Sequence, residues 1–290
     1  MNQRKIKQYL ILVSLTLAGL VPFQISIADT KHNSLFQDKS YFDYDIYWSF
    51  LKIGSAQLSF HQLDPKNGSE EEYKIRFSVR SNELISAIYP VETDIVSTLI
   101  KIDDRIKPLV YRKDSNEGGN QTDSIVRFDY QLNQIIEEKN QIQLTPIDIE
   151  HNLQDPLSLI LAICQNDFQS NPTFLQNVTD GGQIFPIESS YVEMKVINTG
   201  IGEFQSQVID IDPQGLRGVF KKSPDANVIL YLNYQSPAIP LKLKSKVRVG
   251  SFSAILSGGM YQGKPIKGQK IEILQSPSKS NEKLKKHFKR

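Results

Sequence analysis

The stretch Tyr41–Phe60, YFDYDIYWSFLKIGSAQLSF, decides the fold. Phe42, Tyr44, Ile46, Trp48 and Phe50 take alternate positions, with Tyr41, Asp43, Asp45, Tyr47 and Ser49 between them. Successive side chains of a β-strand point to opposite faces, so this spacing predicts one aromatic face and one mostly polar face. Beyond Gly54 the apolar positions resume in phase at Ala56, Leu58 and Phe60. A turn-forming run, DPKNGSEEE, follows, and the alternation returns at Tyr73, Ile75, Phe77 and Val79. Three strands in a row joined by short connections make an antiparallel meander.

The same period continues outward in both halves of the chain, through VETDIVSTLIKID, KPLVYRKDS, DSIVRFDY and NQIIEEK, then YVEMKVINTG, EFQSQVIDID, LRGVFKKS, NVILYLNY, PLKLKSKVRV, SFSAILSG and KIEIL. A dozen or so short strands with tight turns predict an all-β, mainly antiparallel fold, a curved sheet or partly open barrel. No long helical pattern separates them, which argues against a parallel βαβ architecture. Two segments break the period. In NELISAIYP, Asn82 is a candidate N-cap, and in DPLSLILAICQ Asp155 caps a helix with Pro156 in its first turn. The second helix is apolar nearly all round and must be covered on most sides. The concave face of a bent sheet is the natural cover, so one or two short helices are expected against that face, with Leu159 plugging the barrel or lining a cavity.

The N-terminus carries an address. Arg4, Lys5 and Lys7 precede an apolar run from Tyr9 to Val21, and Ser26-Ile27-Ala28 offers small residues at a cleavage site. This is the composition of a secretory signal peptide cleaved after Ala28, and the run is too short for a spanning helix. The expected product is periplasmic and has no transmembrane segment: a flexible start over 29–40, one β domain over 41–275, and a disordered basic tail over 276–290. One cysteine, Cys164, cannot form an internal disulfide and reads as a buried small hydrophobe.

Charge excludes one class of partner. The chain is +2 overall; the three cations of the first 28 residues and the +5 of the tail leave −6 on the body. A mildly acidic body with a basic tail is not the composition of a nucleic-acid-binding domain. The four histidines have neither HxH nor HExxH spacing, and neither a GxSxG elbow nor a phosphate-binding glycine loop is present. Neighbouring acids on one strand, such as Asp43 and Asp45, do not straddle a cleft as glycosidase acids do. No catalytic residue, metal site or cofactor is therefore expected.

The row Lys242, Lys244, Lys246 and Arg248 alternates with Leu243, Ser245, Val247 and Val249. A hairpin turning at Gly250-Ser251 would set Val249 opposite Phe252 and Val247 opposite Ala254, leaving the four cations on the other face about 6.6 Å apart. That face is either a solvated surface that resists edge pairing or the border of a pocket for an anionic group.

The spaced aromatics, glycines and prolines of YFDYDIYWSFLKIGSAQLSF, SNELISAIYPVETDIVSTL, KPLVYRK, DPLSLILAI and SPAIPLKLKSKVRVGSFSAIL resemble the exported bacterial proteins of the domain-of-unknown-function 3108 family, over about Tyr41 to Leu256. The resemblance implies an extracytoplasmic β-protein akin in style to curved-sheet envelope proteins that hold lipid or lipoprotein tails, and it carries no functional residue set. Together these readings lead to a non-enzymatic exported protein binding an apolar or lipid-like ligand in a curved-sheet pocket, with Trp48, Leu159, Lys242, Lys244, Lys246 and Arg248 as candidate ligand contacts. The competing expectation is an envelope interaction module that recognises glycan or a protein partner without a buried ligand.

Overall fold

The computed structural model describes residues 39–63, 71–102, 105–150, 152–212, 227–235, 238–247 and 250–268. The export segment with its cleavage site, the start of the mature chain up to residue 38, the basic tail, the strands expected over 216–223 and 270–274, and Arg248 lie outside them. The first half is a meander: β1 (Ser40–Trp48), β2 (Leu51–Gln62), β3 (Glu72–Ser81), helix α1 (Glu83–Ser86), β4 (Val91–Ile102), β5 (Arg105–Glu117), β6 (Asn120–Asp129) and β7 (Gln134–Lys139). Three two-residue strands, β8 (Ile142–Gln143), β9 (Ile147–Asp148) and β10 (Leu153–Gln154), lead to helix α2 (Pro156–Gln165). The second half is β11 (Thr173–Val178), β12 (Phe185–Thr199), β13 (Gly202–Ile211), β14 (Asn227–Asn233), β15 (Pro240–Val247), β16 (Gly250–Tyr261) and β17 (Lys264–Pro265).

Apart from the parallel pair β10–β11, every described pairing is antiparallel. β1 joins the two halves, with β2 on one side and β16 on the other. The sheet curls without closing. At its far end Gln154 Nε2 of β10 donates to the Ile106 carbonyl of β5 at 3.5 Å, and the interior belongs to α2. This is the curved, barrel-like antiparallel fold that the period of two predicts.

The alternation positions the core. Phe42, Tyr44, Ile46, Ala56, Leu58, Phe60, Ile75, Phe77 and Val79 are all buried. Phe50 is the exception, 93% exposed. Ser49 takes a positive φ of 55° in the β1–β2 turn, so the strand ends at Trp48 and the alternation no longer dictates which way Phe50 points. The first helix also departs from expectation. Asn82 caps it, accepting from the Ile85 amide at 3.0 Å, but α1 is four residues long, buries none of them and leaves Leu84 76% exposed. Among the described residues α2 is the helix that fills the concave side, while α1 reaches the core through the partly buried Ile85.

The β15–β16 hairpin pairs Val247 with Gly250, Ser245 with Phe252 and Leu243 with Ala254. Gly250 is thus a paired strand residue and not the first residue of the turn, and the register is displaced by four residues from the expected one. An even displacement leaves every side chain on its face. Gly250 is needed for another reason: it holds φ 132°, and a Cβ there would sit 3.0 Å from Nε1 of Trp48.

Candidate functional site

Helix α2 starts where its cap chemistry requires. Asp155 accepts from the Leu157 amide at 2.7 Å and the Ser158 amide at 3.0 Å, while Ser158 Oγ accepts from the Asp155 amide at 2.9 Å, a reciprocal capping box. Ser97 Oγ of β4 donates to the other carboxylate oxygen. These bonds tie the first turn to the sheet wall. Asp155 is nonetheless fully buried, and desolvation outweighs the hydrogen bonds to push its pKa up.

The helix leans on β3, β4, β5 and β10. Between the helix and the sheet, Ile160 and Ile163 face an apolar cavity of about 50 Å³. The opposite wall comes from Tyr44, Leu58 and Phe77 of β1–β3 and from Leu230, Leu243 and Ala254 of β14–β16. Ile160, Leu243 and Lys242 are the partly exposed members of the lining, so the cavity opens past them. Tyr44, the polar side chain deepest in this wall, donates its hydroxyl to the Pro240 carbonyl at 2.9 Å, and burial raises its pKa. Among the described residues the lining is hydrocarbon apart from the Tyr44 hydroxyl and Lys242. Among the described residues no group of three His, Cys, Asp or Glu is placed to hold a metal ion.

The expected contacts are divided by the structure. Leu159 is fully buried in the core and does not line the cavity; its neighbours Ile160 and Ile163 do. Lys242 borders the cavity, but its ammonium lies 5.6 Å from the Tyr231 ring centre. Tyr231 is on the face of β14 opposite buried Val228, Leu230 and Leu232, so the charge of Lys242 belongs to the outer face. Burial and the nearby Lys244 and Lys195 lower its pKa. Lys244 and Lys246 are exposed on that outer face and do not line the cavity. Trp48 stacks on Phe252 with ring centres 6.4 Å apart, at the end of β1, and does not line the cavity either. Its buried Nε1 has no acceptor.

Two ends of the open sheet also meet. Glu137 of β7 lies against Gly181 and Gly182 in the loop after β11, where a Cβ on Gly181 would collide with the carboxyl group. Burial raises the pKa of Glu137, with the Ser124 hydroxyl, 3.3 Å away, opposing the shift.

The family model for the proteins of unknown function DUF3108 matches residues 43–257. The chain belongs to the DUF3108 family. The matched span of this DUF3108 protein includes α2 and every residue that lines the cleft. Among curated proteins none matches the chain. Three solved structures resemble it at low identity. A β-barrel-like protein of domain of unknown function DUF1849 from Brucella abortus has TM-score 0.46 and 9% identity, covering 75% of this chain and 94% of its own. A protein described as exported, with a YmcC-like fold, from Bacteroides fragilis has TM-score 0.36 and 8% identity over 79% of this chain and 99% of its own. A protein described as a lipoprotein from Parabacteroides distasonis has TM-score 0.36 and 8% identity over 80% and 100%. Among the described residues no helix is long and apolar enough to cross a membrane.

Proposed function

We propose that this DUF3108 protein is an exported, non-enzymatic binder of an apolar chain, taken up between α2 and the β14–β16 wall. The N-terminal charge and hydropathy pattern supports export to the periplasm. The observation that carries the binding reading is the cleft itself, walled almost wholly by hydrocarbon from seven strands and one helix, with Ile160 at its open side. At about 50 Å³ it is well below the ~300 Å³ at which small-molecule pockets begin, so an acyl chain enters only as α2 moves off the facing wall. The ligand's head group has no cation waiting in the cleft, because the Lys242 ammonium is outside it.

Uptake of a fluorescent fatty acid by the purified full chain tests this. Ile160→Asp places a charge on the cleft's open side, at a partly buried position that packs against the core, and it is expected to abolish uptake while the protein still unfolds in one cooperative melt. Equal uptake by the two proteins would remove the cleft as the site.

One observation favours the interaction module as a second reading. Phe50 of the β1–β2 turn, Leu51 at the start of β2, and Leu84 and Ile88 around α1 are exposed at one end of the sheet. Asn82 joins the two connections, through its amide to the Ile53 carbonyl at 2.9 Å and its Nδ2 to the Lys52 carbonyl at 2.8 Å. An exposed apolar rim of this kind is a contact surface in need of a partner. Loss of binding to envelope extracts in Phe50→Ser/Leu84→Ser, with fatty-acid uptake intact, would support it.

A further inference from the structure

The long strand β12 is only half covered. β11 pairs with it from Phe185 to Ser190, and β13 runs along its other side from Ser189 to Thr199. From Val192 to Asn198, therefore, one edge of β12 has no ladder partner among the described residues, although the strand also approaches β16. The edge is held firmly at both ends. Tyr191 donates its amide to the Pro172 carbonyl at 2.7 Å, and at the hairpin tip Gly200 donates to Leu256 at 2.8 Å while Ile201 accepts from Gly268 at 2.9 Å. A strand edge without a ladder partner is a template for another strand.

The residues along this edge are matched to themselves. Val192-Glu193-Met194-Lys195-Val196 is symmetric in its apolar positions and antisymmetric in its charges about Met194. Val192 is 54% and Val196 36% exposed, and Glu193 and Lys195 lie 3.5 Å apart with about half of each side chain in solvent. An antiparallel partner centred on Met194 sets Glu193 opposite Lys195 of the partner subunit and Lys195 opposite Glu193 of the partner subunit, with Val196 reaching toward Val192, where the register of β12 against β13 shifts by one residue. Opposite charges and apolar pairs directly across a ladder are favourable, whereas like charges there are not. A two-fold axis needs one self-complementary patch, which this segment is.

We propose that two copies of this chain pair through the open edge of β12, antiparallel about Met194, continuing the sheet from one subunit into the other. The inference is independent of the apolar cleft, whose lining does not include β12.

Charge exchange tests the register. In sedimentation velocity on the full chain, from low to high micromolar protein, the wild type shows concentration-dependent dimer. Glu193→Lys and Lys195→Glu each place like charges opposite one another twice per dimer and weaken association about 10-fold or more. The double variant E193K/K195E restores complementarity and recovers the wild-type constant. Met194→Cys, which faces its own copy across the two-fold, gives a disulfide-linked dimer under mild oxidation, and buried Cys164 does not compete. A chain that stays monomeric throughout, or a dimer that neither single reversal weakens, overturns the proposal.

Discussion

Asp155 anchors the helix that forms one side of the cleft, and its replacement separates two opposed effects. Ala at this position deletes the N-cap, which costs about 0.5–2 kcal/mol, and leaves the buried Ser97 hydroxyl without its acceptor, a further loss of about 1–3 kcal/mol. It also removes a buried carboxylate whose charge is disfavoured by desolvation, which offsets part of that loss. Asn removes the same charge but still caps, because its Oδ1 accepts from the Leu157 and Ser158 amides and its Nδ2 can donate to Ser97 Oγ. The stability difference between Asp155→Asn and Asp155→Ala therefore isolates the hydrogen bonds, at about 2–4 kcal/mol in favour of Asn. The sign of the pH effect follows from the raised pKa. The folded state binds the Asp155 proton more tightly than the unfolded state, whose carboxyl titrates near 3.8, so the wild type loses stability relative to Asp155→Asn as pH rises through the folded pKa. Urea unfolding followed by the fluorescence of Trp48, the one tryptophan in the sequence, reads all three proteins at pH 4.5 and pH 7.5. Asn and Ala variants within about 0.5 kcal/mol of each other, or a wild type that gains on Asp155→Asn as pH rises, would refute this account of the cap.

Three further outcomes follow. Leu159→Ala should destabilise the whole domain by about 2–5 kcal/mol in urea unfolding, while Ile160→Ala, at the open side of the cleft, costs clearly less. Gly181→Ala should lower the melting temperature, because its φ of 111° disfavours a side chain and the new Cβ collides with Glu137; Glu137→Ala in the same chain relieves the collision but not the backbone cost. Cys164, whose thiol pKa is pushed up by complete burial, should react with a thiol reagent only in denaturant, as measured by mass spectrometry of the adduct.

Much of this architecture is legible from side-chain period and cap chemistry alone. The apolar positions from Phe42 to Val79 are buried because a half-buried strand has no other way to satisfy alternation, and Asp155-Pro156 starts a helix because the cap and the missing proline amide both belong there. What escaped depends on information that a local pattern does not contain. Alternation carries Phe50 inward on paper, but the chain turns at Ser49, which is no strong turn signal. Gly250 resembles a turn glycine, whereas its missing side chain makes room for Trp48 from another strand. An all-apolar helix has no phase, so nothing in LSLILAIC says that Ile160 and Ile163 line the cleft while Leu159 is sealed in the core. Alternation puts Lys242, Lys244 and Lys246 on one face, but which face that is follows from the pairing of Lys242 with Tyr231; Arg248 lies outside the described residues. The open edge of β12 is likewise invisible until the length of β11 is known.

The central claim is that the cleft beside α2 receives an apolar chain. Native mass spectrometry with lipid extraction, on full-length protein expressed in bacteria and purified without detergent, tests it most directly. The account predicts a co-purifying lipid or fatty acid at near one equivalent that is lost in Ile160→Asp. Protein that arrives empty and stays empty after incubation with fatty acid and phospholipid would contradict it.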